Sequence, residues 1–320
     1  MSVTSPPERP LLDPTRAIPA LAPLRAAALA GDWDSLAAAF EALPDEDDRT
    51  LAARVVAETP GSEKFLRLTA ERLPRDPLAR TLYADRLITM GWQIRTGDEA
   101  RFVPAGRMQR FHEQLRLAEG LLIAVCAGHP EYALAWYLRL KTARGLELGL
   151  SEARRRYDRL TEHHPGHFGG QFQLLQRLCP KWGGTWEAAQ GFADACAESA
   201  RPGSPAAVLG AVVQLERWLE FIGMDHDEAE EYVEDPAQRT ALTRAAADSV
   251  LHPDFDAERH HAIECHSVFA ALHSLAGRWD DAAPHFRALG NRMSAFPWEY
   301  VDSDPVAEFA RHRKLALPKG

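Results

Sequence analysis

Metal-binding chemistry is suggested by one histidine-rich segment near the end of the chain. His260 and Glu264 are four residues apart, and so are His261 and Cys265. On a helix, residues four apart share a face, and such pairs supply two ligands to many zinc sites. The sequence has no second cluster with ligand spacing, and such pairs arise by chance among 13 histidines. A metal site at these four residues is therefore an alternative interpretation.

Peptide-binding chemistry is suggested at two other places. Arg155 and Arg159 are about one helical turn apart and could clamp a carboxylate or a phosphate. Trp182 and Trp186 flank two adjacent glycines, which would let a ligand approach the backbone beside flat indole surfaces. A structural interpretation is also open, in which the glycines make a turn, Thr185 caps the next helix and the indoles pack in the junction. The predicted partner-binding residues are Arg155, Arg159, Trp182 and Trp186.

A strongly acidic segment spans residues 225–235, with seven acidic residues and no basic one. It lacks the central glycine and the spaced ligands of an EF-hand loop. This pattern favours a solvated linker or a surface helix. An electrostatic arm for a basic partner is the alternative.

Phrases that mark common catalytic sites are missing from the sequence. It contains no phosphate-binding loop, dinucleotide-binding loop, nucleophile elbow or His-Glu-x-x-His phrase. A Ser/His/acid group assembles in space and would leave no such phrase. The sequence therefore favours a non-enzymatic protein and predicts no cofactor. An all-α enzyme, or a small-molecule or metal binder with a His/acid site inside a superhelix, is the alternative.

A short phrase that occurs twice, at Gly31 and at Gly277, predicts the kind of element that positions these residues. Each glycine is followed by Trp at +2, an acid at +3 and Phe at +9. A glycine in a left-handed cap ends one helix, and acidic residues favour the start of the next. The +2, +5 and +9 residues then share one face, so the phrase predicts a tight helix–helix turn. Degraded copies begin at Gly149 and Gly184.

Helical segments separated by Pro and Gly fill most of the chain, and alternating strand patterns are nearly absent. The predicted fold is all-α, an irregular α-solenoid of about fifteen helices in antiparallel hairpins. Residues 1–18 are predicted to form a flexible, Pro-rich tail. Residues 19–316 are predicted to form one domain, with a sub-boundary near 93–107 or 223–236 as the alternative.

Composition limits the location and the partners of the protein. A net charge of −9 argues against general binding of nucleic acid or of an anionic membrane. The four cysteines have no paired spacing, which predicts buried, reduced thiols. No stretch approaches about 18 uninterrupted apolar residues, and the first residues lack the apolar core of a signal peptide. The predicted location is the cytoplasm.

The turn phrase resembles the turn inside a tetratricopeptide repeat. A sharper likeness covers about residues 130–220, through phrases around Trp136, Arg144, Tyr157 and Pro202 and through Lys-Trp-Gly-Gly-Thr at 181–185. Together they look like a group of uncharacterised bacterial proteins, frequent in actinomycetes, that share a Trp-Gly-Gly-Ser/Thr phrase. The resemblance implies a tetratricopeptide-like fold and no known reaction.

The predicted function is a scaffold or adaptor that holds a protein or peptide on the concave face of the solenoid. Stacked helical hairpins expose long grooves that suit such ligands. A second copy of the chain in that groove, giving a homo-oligomer, is a further alternative.

Overall fold

A computed structural model describes residues 9–96 and 102–317. In this part of the chain the fold is all-α, as predicted, and contains eighteen α-helices. The count exceeds the prediction partly because α1 and α17 are single turns of four residues. The helices, numbered in chain order, are α1 (Pro14–Ala17), α2 (Ala22–Ala30), α3 (Trp33–Glu41), α4 (Glu46–Glu58), α5 (Glu63–Arg72), α6 (Pro77–Arg95), α7 (Ala105–Gly128), α8 (Ala133–Gly145), α9 (Leu150–His163), α10 (Phe168–Leu178), α11 (Trp186–Ser199), α12 (Val208–Met224), α13 (His226–Glu234), α14 (Pro236–Asp248), α15 (Ala262–Leu275), α16 (Trp279–Leu289), α17 (Trp298–Val301) and α18 (Pro305–Ala316).

The chain divides into two compact units. The first unit is Ala20–Gly184, and the second runs from Thr185 onward and includes the stretch that ends at Pro19. The division therefore falls inside the Lys-Trp-Gly-Gly-Thr phrase. The predicted sub-boundary at 93–107 lies within the first unit, apart from residues 97–101, which are outside the described residues, and 223–236 lies within the second. The single domain over 19–316 stays a prediction.

In the first unit, helices pack on their neighbours in sequence and on the helix after next. The packed hairpins are α2–α3, α5–α6, α6–α7, α7–α8, α8–α9 and α9–α10. The even-numbered helices α2, α4, α6, α8 and α10 also pack against each other in order, and α4 reaches α8 and α10. This packing brings one side of α6 against one side of α8.

Asp47 attaches the first turn of α4 to the first turn of α10. Its carboxylate accepts the backbone N–H groups of Phe168 and Gly169 at 2.9 and 2.8 Å. A carboxylate is favourable at a helix N-terminus because it satisfies orphan donors and opposes the helix dipole. The nearby His167 imidazole accepts the N–H of Gly170 through Nδ1 at 3.0 Å. Buried His167 and half-buried Asp47 therefore cap the helix that carries Arg177.

Both complete copies of the turn phrase form helix–helix turns. Gly31 has φ +68 and ends α2. Gly277 has φ +65 and lies in the turn between α15 and α16. The Asp32 side chain accepts the Ser35 N–H at 3.1 Å and so caps α3. The Phe at +9 is buried in each copy, at 2% exposure for Phe40 and 0% for Phe286. The local prediction is confirmed at both places.

At Gly149 the structure also forms a helix–helix turn, between α8 and α9, but the glycine is not its left-handed residue. Gly149 has φ −51, and the residue with a left-handed backbone is Glu147, with φ +54. The α8–α9 connection therefore turns two residues earlier than the glycine suggests. The backbone N–H of Leu148 bonds to the carbonyl of Ala143 there, which satisfies one of the last carbonyls of α8.

In the second unit, α12 packs against α11, α13, α14 and α15, and α16 packs on α15 and α18. Part of the predicted tail belongs to this unit. The Leu11 N–H bonds to the Asn291 carbonyl at 2.7 Å, and Ala17 lies in a core cluster with Trp298 and Phe309. Residues 1–8 are outside the described residues, whereas 11–18 are held by these contacts rather than forming a free tail. All four cysteines of the chain are buried, as predicted.

Thr185 caps α11, as the sequence predicted. Its hydroxyl accepts the Ala188 N–H at 3.1 Å. Replacing Thr185 by Ala should lower the free energy of unfolding by about 1 kcal/mol, because this N–H loses its partner. Thr185→Ser keeps the hydroxyl and should unfold like the native protein. Urea denaturation monitored by circular dichroism measures both, and equal losses in the two variants would contradict the capping role.

Candidate functional site

The facing sides of α6 and α8 carry charged and aromatic residues. On α6, Asp85 and Trp92 are seven residues apart, so they lie two turns apart on the same side. On α8, Lys141 and Arg144 are three apart and also share a side. Lys141 Nζ is 3.1 Å from Asp85 Oδ1, and the Arg144 guanidinium lies 5.6 Å from the centre of the Trp92 ring. Helical periodicity and packing therefore align two pairs along the contact between α6 and α8.

Trp182, in the short 3-10 helix Pro180–Trp182, contacts the same two helices. Its ring is perpendicular to that of Trp92, with centroids 6.2 Å apart. The Arg144 guanidinium lies 5.3 Å from the Trp182 ring, and that of Arg95 lies 5.4 Å from Trp92 and 6.0 Å from Trp182. Each contact of this kind stabilises by roughly 0.5–2 kcal/mol. Two indoles and two guanidiniums thus hold one another in place.

The two glycines after Trp182 make this placement sterically feasible. Gly183 has φ +81 and ends the 3-10 helix in a conformation that suits glycine. Gly184 lies so close to the preceding helix that a Cβ on it would be 1.9 Å from the carbonyl oxygen of Leu178. The predicted glycine turn is therefore present, and it presents Trp182 to α6 and α8.

Arg177 lies beside this turn, and part of its guanidinium lacks hydrogen-bond acceptors among the described residues. Its Nη2 donates to the Leu148 carbonyl at 3.3 Å, whereas Nε and Nη1 are buried and have no acceptor among the described residues. Desolvation lowers the pKa of Arg177, and the nearby Glu147 carboxylate only partly opposes this. Buried donors without partners are costly and rare. We call Trp92, Arg95, Arg144, Arg177 and Trp182 the Trp–Arg face.

The predicted clamp residues Arg155 and Arg159 lie on the exposed side of α9. Arg155 donates to both carboxylate oxygens of Glu152, at 2.8 and 2.7 Å, and Arg159 bonds to Glu162 at 3.0 Å. The hydrogen bonds from Arg155, followed by those from Arg156, lower the pKa of Glu152 to about 2. Both predicted arginines are therefore bonded to carboxylates of their own helix, and their role in a clamp stays a prediction.

Trp186, the other predicted indole, lies in the second unit. Its Nε1 donates to Glu220 at 2.8 Å, and the Arg217 guanidinium lies 5.7 Å from its ring and 5.5 Å from that of Tyr232. Burial raises the pKa of the Tyr232 hydroxyl to about 12. Trp186 thus takes part in its own stack of rings around one arginine.

The histidine-rich segment differs from the predicted helix. Helix α15 begins at Ala262, so His260 and His261 precede its first turn, whereas the sequence predicted a helix from about residue 257. Within the described ranges, no three His, Cys, Asp or Glu side chains are placed to hold a metal ion. His260 and Cys265 are buried, while His261 and Glu264 are partly exposed.

Three other histidines form a buried cluster between α15 and α16. His266 Nδ1 lies 3.1 Å from His285 Nδ1, and the His285 ring stacks on both Phe269 and His273. Burial lowers the pKa of His266 and of His273 to about 4, and it also lowers the pKa of His285 well below its ordinary value. The three imidazoles are therefore neutral at pH 7 and pack as part of the core of the second unit.

Sequence reasoning singled out Trp182 but missed most of its neighbours. Trp92 and Arg95 are three residues apart on one long helix, a spacing that places an indole and a guanidinium on one face. That signal could have nominated the pair. No sequence pattern pointed to Arg177, because the fold decides whether its nitrogen donors have acceptors nearby.

Comparisons with known proteins add no functional information. Neither a scan of protein-family models nor a search of curated proteins returned a match to this chain. Of the helices described, none combines the length and the apolar character needed to cross a membrane. The function must therefore be inferred from the geometry of the side chains.

Proposed function

We propose that this chain is a non-enzymatic interaction protein that binds a protein or peptide through the Trp–Arg face. One observation carries the proposal: two indoles and two guanidiniums from three separate segments contact one another. Trp92, Trp182 and Arg144 are each partly exposed. Trp and Arg are the side chains most enriched at the centres of protein interfaces, and a stacked group loses little conformational entropy on binding.

The fold supports the proposal through its packing pattern. In the first unit the even-numbered helices pack in order, and hairpins connect them to the intervening helices. This alternation is typical of helical-repeat proteins, and we infer an irregular, tetratricopeptide-like solenoid whose inner layer carries the Trp–Arg face. A cytoplasmic location and a protein partner fit the acidic composition.

Selection of peptides from a random display library on the purified protein tests this function. We expect a related set of peptides with micromolar Kd values, measured by isothermal titration calorimetry. Trp182→Ala should weaken their binding by about tenfold or more, because it removes a central indole.

Trp186→Ala is the matched control, because it removes an indole stacked on an arginine in the second unit. Its binding should equal that of the native protein. Failure to select any related peptides, or equal affinity for native protein and Trp182→Ala, would overturn the proposal. Circular dichroism spectra of both variants verify that they are folded.

A further inference from the structure

We infer that the partner presents a segment with clustered Asp or Glu side chains, and that Arg177 binds one of its carboxylates beside Trp182. This inference rests on the proposed peptide binding and names the chemical class of the peptide. The observation behind it is the pair of buried Arg177 donors, Nε and Nη1, which have no acceptor in the described parts of the chain.

A carboxylate supplies what this guanidinium lacks. Arginine donates to carboxylates in a planar fork, and these charge-assisted hydrogen bonds are about twice as strong as neutral ones. The cost of the two unpaired donors is already present in the unbound protein, so a ligand that satisfies them gains their hydrogen bonds with little further desolvation of Arg177.

The location of Arg177 connects it to the rest of the Trp–Arg face. A Cβ on Gly183 would lie 3.7 Å from Arg177 Nη1, so the unpaired nitrogen is adjacent to the turn that carries Trp182. The Trp182 ring is in contact with the guanidiniums of Arg144 and Arg95. A peptide that reaches Arg177 therefore also meets an indole whose position is set by two arginines.

The charge balance favours an acidic segment over other ligands. The chain carries a net charge of −9, yet three arginines gather on this face, and Glu147 is the acidic group that acts on Arg177. The positive charge of Arg177 attracts a short anionic segment, while the overall negative charge repels large polyanions such as nucleic acid. Binding should therefore weaken as salt increases, because salt screens the attraction between the acidic segment and this face.

A synthetic peptide with the sequence of residues 225–235 of this chain is a suitable probe. It has seven acidic side chains and no basic one, and blocking both ends leaves side-chain carboxylates as its only anions. Calorimetry should show binding to the native protein, and a peptide with Asn and Gln in place of the seven acids should bind about tenfold more weakly or not at all.

Variants of the protein locate the binding arginine. Arg177→Gln should weaken binding of the acidic peptide by about tenfold, because the charged fork is lost. Arg177→Lys keeps the charge without the fork, should lose affinity in part, and provides a second measurement if Arg177→Gln is unstable. Arg159→Gln is the matched control, because Arg159 is exposed and bonded to Glu162 on α9. Its affinity should not change.

Three results would overturn the inference: equal binding of the amide peptide, equal loss in Arg159→Gln and Arg177→Gln, or binding only of a peptide with phosphoserine in place of the acids. If displayed peptides bind in a Trp182-dependent way while the acidic peptide does not bind, this inference fails and the proposed function stands. If neither kind of peptide binds, both fail.

Discussion

Acidification should destabilise the second unit between pH 6.5 and pH 4, because its buried histidines must become charged as it unfolds. The pKa of His266 and of His273 is lowered by burial to about 4, from the ordinary value of 6.5. In this window the unfolded chain binds more protons than the folded chain, so the free energy of unfolding falls as the pH falls. Each pKa shift corresponds to roughly 3 kcal/mol of the free energy of unfolding at pH 7, and this contribution is fully lost below pH 4.

Neighbouring charges modify this effect only slightly. At His273, Asp281 raises the pKa, whereas Arg278 and Arg239 lower it, and burial outweighs all three. At His266, Arg292 adds to the lowering caused by burial. His285 lies between the two other imidazoles, so a positive charge on either of them would disfavour protonation of His285. The three histidines therefore act in the same direction.

Urea denaturation at a series of pH values from 7 to 4 measures this loss. His273→Phe removes one titrating group and keeps an aromatic ring beside His285, so its stability should depend less steeply on pH. His129→Gln is the control, because His129 follows α7 in the first unit and lies outside this cluster. A stability that stays constant between pH 6.5 and pH 4, or equal slopes in native protein and His273→Phe, would contradict the prediction.

Removing the carboxylate of Glu119 should cost about 3–5 kcal/mol of stability, because it leaves two buried arginines without their shared partner. Glu119 on α7 lies 3.0 Å from Arg139 on α8 and 2.9 Å from Arg156 on α9, and it also accepts the Thr142 hydroxyl. The arginines are 7% and 3% exposed, so water cannot replace the lost carboxylate. Glu152 stays beside Arg156 and offsets part of the loss.

Chemical denaturation of Glu119→Ala and Glu162→Ala compares a buried ion pair with an exposed one. Glu162 is exposed and bonds to the exposed Arg159, so its removal should cost less than about 1 kcal/mol. Glu119→Gln keeps an acceptor for Thr142 and should fall between the two. Similar losses in Glu119→Ala and Glu162→Ala would show that the network does not stabilise the packing of α7, α8 and α9.

Local signals in the sequence predicted the helices and their turns. Gly31 and Gly277 end helices because a left-handed cap suits glycine, and Thr185 caps α11 because its hydroxyl satisfies a nearby N–H. These effects act within a few residues, so they are readable without the fold. At Gly149 the helix–helix turn is present, but Glu147 rather than the glycine takes the left-handed conformation.

The Trp–Arg face could be predicted only in part. Trp182 stood out because it lies in an unusual phrase with two glycines, and the need for those glycines is physical, since a Cβ at Gly184 would meet the Leu178 carbonyl. Its partners Trp92 and Arg144 come from helices about 90 and 40 residues away along the chain. Their meeting with Trp182 depends on how α6 and α8 pack.

What the sequence by itself determined is the all-helical class, the two glycine turns and the unusual double-glycine phrase that contains Trp182. Only the tertiary structure decided which charged side chains turn inward. Arg155 and Arg156 are adjacent in sequence, yet Arg155 stays on the surface with Glu152 whereas Arg156 is buried against Glu119 of α7. Helix periodicity makes their faces differ by about 100°, but it does not say which face will find a buried carboxylate. That depends on a partner 37 residues away, and long-range electrostatic pairing of this kind is a property of the fold.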